Sequence, residues 1–494
     1  MLWCLVCVMG TVLETTHAQR QQESAVEKRK PNVLFIMVDD LRPELHCYGE
    51  SQIISPNIDR LASRGVAFRR AYCQEAICMS SRNSLLSGLR PDTAGIWKNR
   101  DVRDRLTDID FLPAYFKNHG YHTAGMGKIF HANWIDEKSW IGPNWYAENS
   151  PYECRTRAGR ELVEKIRQAA MAAGKPDPYE GIPEKIRRGL PYESLDVEDN
   201  ELGDGQTADH AIATLRQVKD KTFFLGVGFI RPHLPFVAPK KYWAMYDPEE
   251  IQLASNPFAP EGAPPPALHN SPELRNQYVG VPKKGPIGAG LAKKLIHGYY
   301  ACVSYVDAQI GRVLDELDRL ELTGNTIVVL CGDHGWQLGD HGMWCKQSNF
   351  EVATRTPLII SAPGMKARGA ESSSLVELVG IYPTLCELAG LPLPDHLEGS
   401  SFAALLDDPA LELRRTALSQ YHRNDVMGYS LRTDRYRYTE WRDHETGEVR
   451  ARELYDHQQD PGENTNAVDK PRYSQAITDL ADLVDQALTH GHFK

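Results

Sequence analysis

The stretch that decides the fold is PNVLFIMVDD, Pro31 to Asp40. Its apolar run from Val33 to Val38 shows no alternation, so neither side of the strand it forms faces water. A strand of that kind sits inside a parallel sheet with helices on both faces. Two aspartates, Asp39 and Asp40, follow at once, at the carboxyl end where open α/β sheets place their ligands.

The same signature recurs along the chain. TFFLGVGF (Thr222–Phe229) reads as a second buried strand, and TIVVLCGDHG, from Thr326, as a third that again ends in a carboxylate, Asp333, followed by His334. PLIISAP adds another. Between them, SPNIDRLASRGVAF reads as a helix capped by Ser55 with Ile58, Leu61 and Ala62 on one face. FLPAYFKNHGYHTAGMGKIFH reads as a helix, a short strand and a loop. Leu291 to Leu320 is the longest helical pattern, and LVELVGIYPTLCELAGL (Leu375–Leu391) is one more helix. The expected class is α/β, with a large, mostly parallel central sheet flanked by helices. A catalytic domain over 31–413 carries a substrate-side insertion, 134–221, where the sequence turns polar and poor in strand signals. Asn256 to Pro272 must be loop. Beyond Arg414 the short alternating segments predict a smaller C-terminal antiparallel-sheet subdomain over 414–494, with a terminal helix from about Tyr473.

The chain has 494 residues and a net charge of -10, which argues against a nucleic-acid binder. An anionic substrate would need a locally built cationic pocket. The first residues, MLWCLVCVMGTVLETTHAQR, read as a signal peptide over 1–18, with an apolar core from Leu2 to Leu13 and a cleavage site at Thr16-His17-Ala18. The expected product is exported, to a periplasmic, extracellular or lysosome-like compartment. No later stretch qualifies as a membrane span. Cys4 and Cys7 would leave with the leader. The other eight cysteines (47, 73, 78, 154, 302, 331, 345 and 386) show neither zinc spacing nor a dense disulfide framework.

EAICMSSRNSLLSGLRPDT places Cys78 just before a helix, with Ser80 and Ser81 as cap hydroxyls, Leu85, Leu86 and Leu89 as its apolar stripe and Gly88 as its stop. Cys78 reads equally as a buried spacer, half of a disulfide, or a nucleophile at a helix N-terminus. Adjacent carboxylates at strand ends repel unless a cation neutralises them, so Asp39, Asp40, Asp333 and His334 read as one shared site for a hard divalent ion. Lys128 and His131 in GMGKIFH, His233 in RPHLPF, Lys346 in GMWCKQSNF and Arg82 supply cations for an anion pocket beside it. That combination suits sulfuryl or phosphoryl transfer, where catalysis is largely positioning and charge stabilisation.

PNVLFIMVDDLRPELHCYG, CMSSRNSLLSGLRPDT, GKIFH, VGFIRPHLPF and GDHGWQLGDHGMWCKQSNFEVATRTPLI together resemble the type I sulfatases of the alkaline-phosphatase-like superfamily, and within them the iduronate-2-sulfatase group. ACVSYVDAQIGRVL and MGYSLRTDRYRYTEW add to the resemblance, which runs from about Pro31 to Ala467. It implies that a maturation enzyme oxidises Cys78 to formylglycine, an aldehyde that hydrates to a diol. It implies one Ca2+ per subunit, held by Asp39, Asp40, Asp333, His334 and the modified Cys78. Arg82 then holds the modified side chain, Lys128 and His131 bind the diol and sulfate, and His233 and Lys346 contact the sulfate and the leaving oxygen. Position 80 departs from the family's usual Cys-x-Pro-Ser-Arg or Cys-x-Ala-Ser-Arg.

The expected function is removal of sulfate from a sulfated oligosaccharide or polysaccharide, at a 2-O-sulfated uronic acid. Tyr421, His422 and Trp344 are candidate sugar contacts. A phosphonate monoester or phosphodiester hydrolase of the same superfamily, and a non-catalytic sulfated-glycan binder, are the competing readings.

Overall fold

The computed structural model describes residues 30–97, 106–131, 134–147, 157–174 and 188–490. The leader, Cys154, and residues 148–156 and 175–187 of the 134–221 stretch lie outside the described residues. The uninterrupted apolar run becomes β1 (Asn32–Val38), buried along its whole length. The large sheet adds β2 (Val66–Tyr72), β3 (His122–Gly127), β4 (Phe223–Phe229), β5 (Thr326–Gly332), β6 (Arg355–Thr356), β7 (Leu358–Ser361) and β8 (Ala370–Glu377). Its order is β6-β2-β7-β5-β1-β4-β3, with β8 also pairing β2. The core β5-β1-β4-β3 is parallel, and β7 and β6 run antiparallel beside it.

The lack of alternation in β1 follows from its two faces. Leu34, Ile36 and Val38 pack against α1 (Pro56–Arg64), α3 (Gly203–Val218) and the long α4 (Ala289–Arg319), through Ile58, Ala211, Leu215, Tyr299, Val303 and Val306. Val33, Phe35 and Met37 pack instead against α2 (Cys78–Ser87) and α5 (Ile381–Ala389), through Leu85, Leu86, Ile381 and Leu385. The four-stranded antiparallel sheet β9-β10-β11-β12 (Ala417–Arg423, Val426–Arg432, Tyr436–Asp443, Val449–Asp456) follows, and α6 (Ser474–His490) covers it. Among the described residues no helix is long and apolar enough to cross a membrane.

Several readings of local sequence change. Ser55 precedes α1 but makes no cap bond; the Asp307 carboxylate on α4 accepts the first-turn N–H groups of Asn57 and Ile58 at 3.1 and 2.8 Å. The stretch Leu375–Leu391 is not one helix. Leu375 to Glu377 pair with Arg70 to Tyr72 as the end of β8, and α5 begins only at Ile381, because the open edge of β2 offers strand partners that outweigh helix propensity. Within the stretch read as an insertion, α3 is part of the helical layer: Ala208, Ala211 and Leu215 enter the core.

Candidate active site

The parallel register builds the site. Val38 pairs Gly332, so the residues that follow, Asp39 and Asp333, leave the sheet side by side. On the other flank Gly127 pairs Gly228, which brings Lys128 off β3 beside the chain that leads from β4 to His233. A Cβ on Gly228 would lie 2.2 Å from the Lys128 carbonyl carbon, so only glycine lets Lys128 turn in at this height. Asp40 itself adopts φ 58°, in the left-handed region that aspartate tolerates better than most residues.

Cys78 is the first residue of α2, whose ten residues are all buried. Its predicted caps do not form: the residue before the helix is Ile77, and Ser81 donates its hydroxyl to the Asp333 carbonyl, which pins the first turn to the end of β5. Gly88 ends the helix in the left-handed region, as its position predicts. Cys78 is no half-disulfide: its thiol is unbridged and faces Asp40 and His334 instead. Burial, and then the Asp39 charge, push the Cys78 thiol up to about 12, so it is not an ionised nucleophile at neutral pH.

Around Cys78 the residues converge. Its Sγ lies 3.3 Å from His334 Nε2 and 3.7 Å from Asp40 Oδ1. Arg82 donates from Nε to Asp333 Oδ2 and from Nη2 to Asp39 Oδ1, both at 2.9 Å, and from Nη1 to the Ile129 carbonyl. Lys128 pairs with Asp39, and Lys346 Nζ reaches both oxygens of Asp40 at 2.9 and 3.1 Å. Burial alone would raise Asp39, but Lys128 and Arg82 hold it well below the usual carboxylate range. Asp40, with burial only partly offset by Lys346, rises to about 7. His131 lies beside Lys128, and burial followed by that ammonium pushes its imidazole down to about 3, so it is neutral.

The donor set fits a divalent ion. Asp39, Asp40 and Asp333 are fully buried. His334 Nδ1 faces the Gly335 carbonyl at 2.8 Å and must carry its proton there, which leaves the Nε2 lone pair turned toward Asp40 Oδ1 at 3.4 Å and Asp333 Oδ2 at 3.6 Å. Lone pairs facing carboxylate oxygens at that range are reconciled by a cation between them.

One charged group has no counterpart in the sequence reading. Glu273, in the short helix Pro272–Gln277 that follows the Pro-rich loop, bonds His233 Nε2 at 3.1 Å and lies 3.2 Å from Lys346 Nζ. Burial would raise this carboxyl, but Lys346 and His233 hold it well below its ordinary value. His233 Nδ1 lies 2.7 Å from the Leu234 carbonyl, so the ring is held from both sides, by that carbonyl and by Glu273. A lone glutamate among prolines gave no signal of this task. The Lys346 loop is held under constraint, since Cys345 and Gln347 on either side take φ of 77° and 74°. Trp336, not Trp344, lies under the ammonium at 4.8 Å; Trp344 is buried in the core and presents no face to a sugar. Tyr421 is buried, and His422 stacks on Trp97.

A family model described as Sulfatase matches residues 31–391, and one described as N-sulphoglucosamine sulphohydrolase, C-terminal, matches residues 339–489. The chain belongs to the sulfatase family. It is 35% identical to iduronate 2-sulfatase of Homo sapiens, over 89% of this chain and 90% of that protein. Its fold is similar to that of BT1596, a 2-O GAG sulfatase, with a TM-score of 0.70 at 23% identity over 94% of this chain and 93% of that one. A phosphonate monoester hydrolase from Silicibacter pomeroyi is equally similar in fold (TM-score 0.70, 21% identity, 93% and 95% covered). At such identities the two structures share an architecture, and the chemistry of this sulfatase must be argued from its own residues.

Proposed function

We propose that this sulfatase is an exported enzyme that removes the 2-O-sulfate from a uronic acid of a sulfated glycan, after a maturation enzyme has converted Cys78 to formylglycine. The observation that carries the reading is the convergence of a non-ionised Cys78 with Asp39, Asp40, Asp333, His334 Nε2 and three buried cations in one pocket. The 2-O-uronate part is supported by the likeness to iduronate 2-sulfatase over most of both chains.

Asp39, Asp40, Asp333 and His334 would hold a Ca2+ ion. Hydrated formylglycine beside that ion supplies a hydroxyl nucleophile acidic enough to react at neutral pH. The chain's own residues do the rest. Arg82 clamps the two aspartates from the side of α2 and keeps the first turn of that helix in place. Lys128 and Lys346 face the sulfate oxygens, where negative charge is greatest. His233, held in place by Glu273, hands a proton to the departing sugar oxygen, and neutral His131 accepts one.

Mass spectrometry of the tryptic peptide Ala71–Arg82 from matured protein tests the reading. An aldehyde at position 78, with sulfate released from a sulfated uronoside, is expected. An intact thiol in every preparation, or a large preference for a phosphodiester or phosphonate ester over the sulfate, overturns it.

A further inference from the structure

Arg423 closes β9 and is half-buried beside the Lys346 loop. Its Nε donates to the Pro266 carbonyl at 3.1 Å and its Nη2 to the Gln347 carbonyl at 2.6 Å, and Gln347 is the residue next to Lys346. The guanidinium carbon lies 4.8 Å from the centre of the Tyr421 ring. Tyr421 in turn lies within electrostatic range of Glu273 and Lys346. The group is therefore anchored on three sides at the margin of the catalytic cluster.

Arg423 has no counter-ion among the described residues; Arg275 also lacks one, but carbonyls of Pro282 and Gly285 take both of its Nη groups. Arg82, Arg90, Arg414, Arg432 and Arg437 each face a carboxylate. Among the described residues Arg423 faces none, and its only neighbours of opposite polarity are the two carbonyls and the tyrosine ring. Burial pushes its pKa down, the direction expected of a cation drawn from water without compensation. Such an arrangement costs free energy that a bound anion would return. The carbonyls occupy the Nε side of the fork, which fixes its plane and leaves the Nη1–Nη2 edge for a planar anion with two oxygens.

We propose that Arg423 determines specificity by binding the C5 carboxylate of the same uronic acid whose sulfate is removed. The assignment rests on the sulfatase reading of the site. In a 2-sulfated uronate the two anionic groups sit across the ring, at C2 and C5. With the sulfate among Lys128, Lys346 and the residues at Cys78, the carboxylate requires a second cation set apart from that cluster. A sugar bearing a hydroxymethyl group at C5 would bury the guanidinium without a partner, so the residue selects against neutral sugars as well as for uronates.

The test uses matured enzyme with a confirmed aldehyde at position 78 and two aryl monosaccharides, a 2-sulfated α-L-iduronide and the 2-sulfated neutral idoside. Being monosaccharides, they exclude any contribution from a sulfate on a neighbouring sugar. Wild type is expected to favour the uronide by about 10–100-fold in kcat/KM. Arg423→Gln should bring the two within about threefold, through a higher KM for the uronide, and Arg423→Lys should keep part of the preference. Equal losses on both sugars would mean that Arg423 only tethers the Pro266 and Gln347 carbonyls, and would overturn the assignment. So would a wild-type enzyme that turns over both alike, or a preference that survives Arg423→Gln; the sulfatase reading would stand in either case. Release from neither sugar would defeat the sulfatase reading itself.

Discussion

Ser80 is the residue at which this chain leaves its family's pattern, and the fold states the consequence. It is the third residue of α2, 1% exposed, and among the described residues its Oγ has no hydrogen-bond partner. A first-turn N–H has no intrahelical acceptor, which is why proline is tolerated at this position in relatives. The serine hydroxyl brings only a desolvation cost, commonly about 1–3 kcal/mol for an unpaired group. Ser80→Ala is expected to stabilise the protein by about 1 kcal/mol, read as a higher urea midpoint at unchanged slope. A lower midpoint would show that the hydroxyl is paired. The cap role assigned to Ser80 and Ser81 failed because Cys78 is already helical and Ile77 is the cap: a local rule locates the helix but misses its start by at least three residues. Glu273 and Arg423 left no local mark, since their meaning lies in partners that arrive from distant segments.

At the scale of elements, Glu377 ties the large sheet to the small one. It ends β8, accepts from Arg90 Nη2 at 2.8 Å and from the Leu418 N–H of β9 at 2.9 Å, and lies 2.9 Å from Arg414 Nη2 as an ion pair. Burial alone would raise this carboxyl, but Arg414 and Arg90 lower it from 4.5 to about 2. Because the folded value is the lower one, the stabilisation is complete above the unfolded value of 4.5 and is lost as pH falls toward 2. Wild-type stability should therefore drop by about 3 kcal/mol more than that of Glu377→Gln across this window. Urea midpoints measured against pH check this, and parallel acid limbs for the two proteins would refute it. The segment that carries Glu377 is also the one whose sequence reads as helix. Leu375, Val376 and Glu377 became strand because β2 presents unpaired backbone there, a fact of assembly rather than of local composition.

At the scale of the whole molecule, the carboxyl ends of adjacent parallel strands deliver Asp39, Asp40, Asp333 and Lys128 to one buried point, where they meet Arg82 of α2, Lys346 and Glu273. An ion that binds only the folded chain stabilises it by about 2.7 kcal/mol at a hundredfold excess over Kd. Chelation with EGTA should thus lower the melting temperature and stop sulfate release, and added Ca2+ should restore both. A melting temperature and activity that ignore the chelator would remove the ion from the site. The buried strands, the flanking helices and the aspartates at the strand ends were legible in the sequence, because burial on both faces writes itself as an unbroken apolar run and ligands follow strand ends. The motifs likewise named Cys78, Arg82, Lys128, His131, His233 and Lys346. Only the tertiary structure decided which strands lie side by side, that Glu273 holds His233 and Lys346, and that Arg423 is half-buried without an acid. Pairing order and counter-ions are long-range properties, set when segments hundreds of residues apart are brought out of water together.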